Sequence, residues 1–141
     1  MDAQEFLEQL KKYDCMIANK LIEKERLQLT ATGITAQVGG ERVQSSGSKQ
    51  KMADAVGRYI DLEREIDRTI DKLIDARMDV IGVIEQLDVV EYDILHKRYV
   101  QYLTNDEITD IYGKSPSWFK QMHEKGLKHV QDILDGRKAE K

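Results

Sequence analysis

The sequence holds little of what staples or interrupts a chain. Its single cysteine, Cys15, excludes an intramolecular disulfide and any cysteine-rich zinc site, and a reducing cytoplasm is the simplest setting. Pro116 is its single proline, and glycine is scarce outside two short stretches, so long segments carry nothing that breaks a helix. Aromatic residues make up only 6 % of the chain against 34 % charged, a balance that suits long solvated helices better than a thick core. No run approaches the ~20 apolar residues that would span a bilayer. The segment Met1-Asp2-Ala3-Gln4-Glu5 is acidic and no apolar run follows it, unlike a secretory signal. A soluble, cytoplasmic protein without membrane association is expected.

What is present is charge, unevenly placed. The net charge of −4 runs against binding a polyanion. Residues 114–141, however, carry seven basic and four acidic side chains. Positive charge therefore gathers at the C-terminal end.

Periodicity gives an all-α fold. Residues 4–29 read as one helix, with Phe6, Leu10, Tyr13, Ile17 and Leu21 at helical spacing and Leu7, Leu27 and Leu29 widening the stripe. Residues 30–50 are rich in glycine, serine and threonine and keep no period, so they read as a flexible linker. Residues 51–87 read as the longest helix, ~55 Å at 1.5 Å per residue. Its expected stripe passes through Met52, Val56, Tyr59, Glu63, Ile66, Ile70, Leu73, Arg77, Val80, Ile84 and Leu87, a heptad repeat interrupted by Glu63 and Arg77. A second row, Ile60, Ile74 and Ile81, broadens it. The two long helices are expected to form an antiparallel, coiled-coil-like helical hairpin over residues 1–88, with enough stripe left over for a homodimer. Glu63 and Arg77 would set its register or oligomer state.

Residues 89–141 form the second expected domain. A short helix is expected at about 91–102, and another at 105–112 that buries Ile108 and Ile111. Thr104 followed by Glu107 forms a capping box in front of the latter. Gly113 ends that helix in a left-handed conformation. Ser115 and Pro116 open the last helix, which runs to about Leu134 and buries Phe119, Met122, Leu127, Val130 and Leu134.

Two short helices joined by Gly113-Lys114-Ser115 have the form of a helix-turn-helix, whose second helix enters the major groove of DNA. With Phe119 and Met122 turned inward, Ser117, Lys120, Gln121 and Glu124 face outward, flanked by Trp118 and Lys125. These six are the candidate DNA-binding residues. Glutamine can pair with adenine through a donor and an acceptor, and lysine suits phosphate.

The residues from Tyr92-Asp93-Ile94-Leu95 through Arg98-Tyr99, then Leu103-Thr104-Asn105-Asp106-Glu107-Ile108, then Ser115 through Lys125-Gly126-Leu127, resemble region 4 of sigma-70 factors. Thr109 and Gly126 depart from that pattern, where alanine is usual. The stretch Glu41-Arg42-Val43-Gln44-Ser45-Ser46, set between two long helices, resembles small phage and prophage proteins of Gram-positive bacteria grouped with late-gene transcriptional regulators. The resemblance implies a non-enzymatic, sequence-specific regulator of transcription that binds double-stranded DNA, with RNA polymerase as a second candidate partner. No segment resembles the sigma region that melts the −10 element, so a complete initiation factor is not expected.

Other features carry less. Asp67, Asp71, Asp75 and Asp79 form a row that a metal-dependent pyrophosphatase could use, but Arg64, Arg68 and Lys72 run beside it. His96, His123 and His129 show no ligand spacing, and Cys15 beside Met16 and Ile17 reads as a packing thiol. No metal site, cofactor or catalytic residue is expected. Two alternative functions stay open: a small-terminase-like DNA-packaging protein, and a module that grips RNA polymerase without reading DNA.

Overall fold

The computed structural model describes residues 1–38 and 46–140. Every regular element among them is helical: α1 (Ala3–Val38), α2 (Ser46–Ile84), α3 (Val89–Leu95), a π-helical segment His96–Val100, α4 (Asn105–Tyr112) and α5 (Pro116–Ala139). None of the described helices is long and apolar enough to cross a membrane.

The two long helices reach further than their periodicity suggests. Asp2 opens α1, its Oδ1 accepting the Glu5 N–H at 2.8 Å. The helix then runs on past Thr30, whose hydroxyl donates to the Arg26 carbonyl, as far as Val38. The linker expected over 30–50 is therefore helical at both ends, and its middle, 39–45, lies outside the described residues. Extending a formed helix by one residue costs far less than nucleating one, so weak helix formers such as Thr30 and Thr32 are carried along.

The chain divides into two compact units, Met1–Tyr13 with Leu73–Lys141, and Asp14–Lys72. In the first unit, Phe6, Leu7 and Leu10 of α1 share one core with Val80, Val83 and Ile84 of α2, Leu95 of α3, and Val130 and Leu134 of α5. The Ala3 N–H also donates to Gln131 Oε1 at 2.8 Å, and Arg137 pairs with Asp79 at 2.8 Å. A smaller cluster of Ile94, Ile108 and Phe119 joins α3, α4 and α5. The π-helical segment closes on Tyr102, whose φ of 63° is left-handed, and the Leu103 N–H then reaches back to the Lys97 carbonyl at 2.9 Å. Tyrosine in that conformation costs roughly 1 kcal/mol.

Gly126 is buried on α5. A Cβ at that position would stand 3.2 Å from Leu95 Cδ1, so the glycine allows close approach of α5 to α3.

The second unit has a thinner interior. Ile17 and Leu27 of α1 are half-buried, while Leu62, Ile66 and Thr69 of α2 are buried. Between them lie lysines: Lys20 meets Glu65 at 3.1 Å and Lys24 meets Glu63 at 3.3 Å, while Arg58 bonds both Glu23 and Glu65. The expected stripe of α1 is corrected here. Leu21 and Leu29 are 48 % and 65 % exposed, and the covered positions are those of Lys20 and Lys24. The lysine stems line the apolar seam while their ammonium groups reach the carboxylates.

The stripe of α2 is corrected too. The covered positions run Ala55, Tyr59, Leu62, Ile66, Thr69, Leu73, Ala76, Val80 and Val83, alternating steps of four and three without a break. The expected stripe holds at Met52, Tyr59, Ile66, Leu73, Val80, Ile84 and Leu87, all buried or half-buried, but it takes Val56, Glu63, Ile70 and Arg77, which are exposed. Burying a lone carboxylate and a lone guanidinium would cost several kcal/mol per ion. The register with Leu62, Thr69 and Ala76 avoids that, and Thr69 satisfies its hydroxyl on the Glu65 carbonyl at 2.7 Å. Glu63 and Arg77 therefore lie outside the buried row, Glu63 at its edge, where it meets Lys24 of α1.

Candidate nucleic-acid interface

The site is assembled by two caps and a turn. Thr104 Oγ1 accepts the Glu107 N–H at 3.1 Å, and Glu107 Oε1 accepts the Thr104 N–H, which completes the capping box at the start of α4. Asp106 and Glu107 also lie where the helix dipole is positive. At the other end Gly113 adopts φ 62°, ψ 37°. The Gly113 N–H donates to the Asp110 carbonyl and the Lys114 N–H to the Thr109 carbonyl, so the last orphan carbonyls of α4 are satisfied in the turn. Ser115 then caps α5, its Oγ accepting the Trp118 N–H at 3.1 Å, with Pro116 at the first helical position.

One expectation about α4 fails. Ile111 is 60 % exposed, and Thr109 takes the buried place beside Ile108. The Thr109 hydroxyl donates to the Asp106 carbonyl at 2.9 Å, which makes its burial tolerable. On a two-turn helix only one edge faces the small Ile94–Phe119 core, and Ile111 lies off it.

Phe119 is buried in that core, and it fixes which way α5 faces. Ser117, Lys120, Gln121, Glu124 and Lys125 are all exposed. Trp118 is half-buried, its ring 5.1 Å from that of Tyr112 and packed on the small core. It differs from the other five candidates in being a packing residue as well. Two exposed lysines not counted among the candidates extend the same region. Lys128 lies seven residues beyond Gln121 and four beyond Glu124, on the same face of α5, and Lys114 lies in the turn. The spacing of Lys128 was available in the sequence. The face thus carries Lys120, Lys125 and Lys128 with Glu124, and Asp132 follows one turn beyond Lys128.

The remaining titratable groups act as struts behind this face. Tyr112 donates a short hydrogen bond to Asp93, which also pairs with Lys97 at 2.6 Å. Burial, and then Asp93, push the Tyr112 hydroxyl up to about 12. The His123 ring stacks against Phe119 and Tyr99, with Nε2 2.6 Å from the Tyr99 hydroxyl. His129 Nδ1 stands 2.5 Å from Oε1 of the buried Glu91. His123 and His129 are therefore structural, and no group of His, Cys, Asp and Glu among the described residues could hold a metal ion. Asp67, Asp71 and Asp75 are exposed, and Asp79 is paired with Arg137. Cys15 is exposed rather than packed, as the helix turns it away from Tyr13 and Ile17.

The chain matches no protein-family model, no curated protein and no solved structure.

His123 has a consequence for acid stability. Burial, and next the Arg98 charge, hold its imidazole below the ordinary 6.5. The unfolded chain therefore binds a proton that the folded chain resists. Stability from neutral His123 is full above the ordinary value and declines as pH falls from there toward the folded value. Urea titrations at pH 7.5 and at pH 5.5 should show this loss, and His123→Gln should show a smaller one. An unchanged pH dependence in that variant would assign the loss to other groups.

Proposed function

We propose that the chain is a sequence-specific DNA-binding regulator of transcription in which α4, the Gly113–Ser115 turn and α5 act as a helix-turn-helix. The observation that carries this reading is the exposed polar face of α5, Ser117, Lys120, Gln121, Lys125 and Lys128, on a helix anchored from behind by buried Phe119. A helix-turn-helix needs such an arrangement: a rigid second helix whose early turns present hydrogen-bonding side chains to base edges. The left-handed Gly113 and the two caps support it. The likeness of residues 92–127 to sigma region 4 points the same way. In this reading α1 and α2 form an antiparallel hairpin, supported by the pairing of Lys20 with Glu65 and of Glu23 with Arg58.

Gln121 reads a base, and Lys120 and Lys125 hold phosphates. The test is a titration of preferred and scrambled duplexes at several salt concentrations, the preferred site having been selected from random DNA. Gln121→Ala should weaken the preferred site by about 1–3 kcal/mol and leave the scrambled duplex nearly unchanged. Lys120→Ala and Lys125→Ala should weaken both, and each should lower the salt slope by about one. Equal losses on both duplexes for Gln121→Ala would remove it as a reader. A second reading, a module that grips RNA polymerase, is favoured by one observation: Ile111 is 60 % exposed on α4 beside the exposed acids Asp106, Glu107 and Asp110. It takes the lead if none of the three substitutions changes binding.

A further inference from the structure

The register of α2 leaves a second face uncovered. One row of the helix, through Leu62, Ile66 and Val80, is buried. A second row runs at the same four-and-three spacing from Val56 to Ile81, one residue on and so about 100° around the helix. Its apolar members are open from Val56 to Ile74, and only Ile81 at its end is half-buried: Val56 is 49 % exposed, Ile60 43 %, Ile70 37 % and Ile74 50 %. Isolated exposed apolar residues need no explanation, but a heptad row of them is a coiled-coil seam without its partner. Three charges interrupt the row. Glu63 is held by Lys24. Asp67 and Arg77 have no ion pair among the described residues.

We propose that this face binds a second copy of the chain, with the two α2 helices antiparallel about a two-fold axis near residue 72. The occupant and its direction follow from the charges. Both acids, Glu63 and Asp67, lie in the first half of the row, and Arg77 lies in the second. A parallel pair would set Glu63, Asp67 and Arg77 each against its own copy, three like-charge contacts. An antiparallel pair centred near residue 72 sets Asp67 against Arg77 of the second copy, twice, and Ile70 against Ile74 of the second copy, twice. The four isoleucines then close the middle of the seam, with an ion pair on either side. A two-fold axis makes the contact self-complementary, so one chain supplies both sides. The Glu63 and Arg77 left outside the buried row thus lie on an intermolecular seam. This inference is independent of the DNA reading.

The experiment is sedimentation equilibrium of the full chain, with circular dichroism of every variant to show that helix content is kept. The unaltered chain should sediment as a dimer at roughly 100 µM, well above a micromolar dissociation constant. Ile70→Lys with Ile74→Lys should give a monomer. Arg77→Asp alone turns two attractive contacts into repulsive ones and should weaken the dimer at least about tenfold. Asp67→Arg alone should do the same, and the double exchange D67R/R77D should recover most of the loss. A monomeric unaltered chain overturns the proposal, as does a dimer indifferent to I70K/I74K. Equal weakening by the single and double exchanges overturns the antiparallel arrangement.

Discussion

His129→Ala is expected to destabilise the protein by about 3 kcal/mol at neutral pH, although the histidine side chain is 40 % exposed. The cost lies with the group it leaves behind. Glu91 is 1 % exposed, and its Oε2 is the one buried side-chain polar atom without a hydrogen-bond partner among the described residues. His129 Nδ1 stands 2.5 Å from the other oxygen, Oε1. Removing it strands a carboxyl group in the interface of α3 and α5. Leaving a buried polar group without its hydrogen-bond partner costs about 1–3 kcal/mol, and the near-complete burial of Glu91, whose Oε2 is already unpartnered, places this case at the upper end. Glu91→Leu should behave oppositely. It removes the unsatisfied oxygen, keeps a similar volume, and should be neutral or stabilising by about 1 kcal/mol or more. In the Glu91→Leu background, His129→Ala should then cost well under 1 kcal/mol, as expected of two groups that act only through each other. Urea unfolding of the four proteins measures all of this. A Glu91→Leu chain as unstable as the His129→Ala chain would show that the pair stabilises the fold rather than merely tolerating its own burial.

The sequence marked the short C-terminal helices because their signals are local. Thr104 and Glu107, Gly113, and Ser115 with Pro116 act within a single turn of chain, and each is found in its expected backbone role. Burial on α2 was harder to read. Two heptad rows pass through Tyr59, Ile66, Leu73 and Val80, one continuing through Val56 and Ile70 and the other through Leu62 and Ala76. Counting apolar residues favours the first, because isoleucine and valine outweigh alanine and threonine. The cost of burying Glu63 and Arg77 decides for the second, and periodicity does not weigh that cost. Lys20 and Lys24 misled in the mirror sense: lysine reads as surface, yet its stem can line a seam. Ile111 and Thr109 exchanged places because an eight-residue helix offers only a narrow buried edge, and which edge faces the core depends on Ile94 and Phe119 from other elements. The exposed candidates on α5 were legible because the buried Phe119, Val130 and Leu134, all readable by spacing, orient that helix. The packing of Trp118 on Tyr112 was not, since it joins two helices whose relative placement no local signal carries.

Leu95→Ala should cost about 3 kcal/mol, within the range of 2–5 for a fully buried leucine. Leu95 is 0 % exposed and belongs to the main core with Val130 and Leu134. It also lies against Gly126, so the two positions form one steric unit across α3 and α5. Their coupling makes the stronger prediction. Gly126→Ala brings the intrinsic helix advantage of alanine, about 1 kcal/mol. In the unaltered chain the new methyl group would stand 3.2 Å from Leu95 Cδ1, closer than ordinary van der Waals contact, so the leucine must shift and much of that advantage is offset. In the Leu95→Ala background the obstacle is gone. The methyl group then enters the vacated space and adds roughly 0.8 kcal/mol of burial to the helix term. Gly126→Ala should therefore stabilise the Leu95→Ala chain by about 1–2 kcal/mol while leaving the unaltered chain within about 0.5 kcal/mol of its own value. Four urea titrations complete the cycle. Equal gains in both backgrounds would mean that Leu95 yields without strain, and that Gly126 is not needed for the approach of α5 to α3.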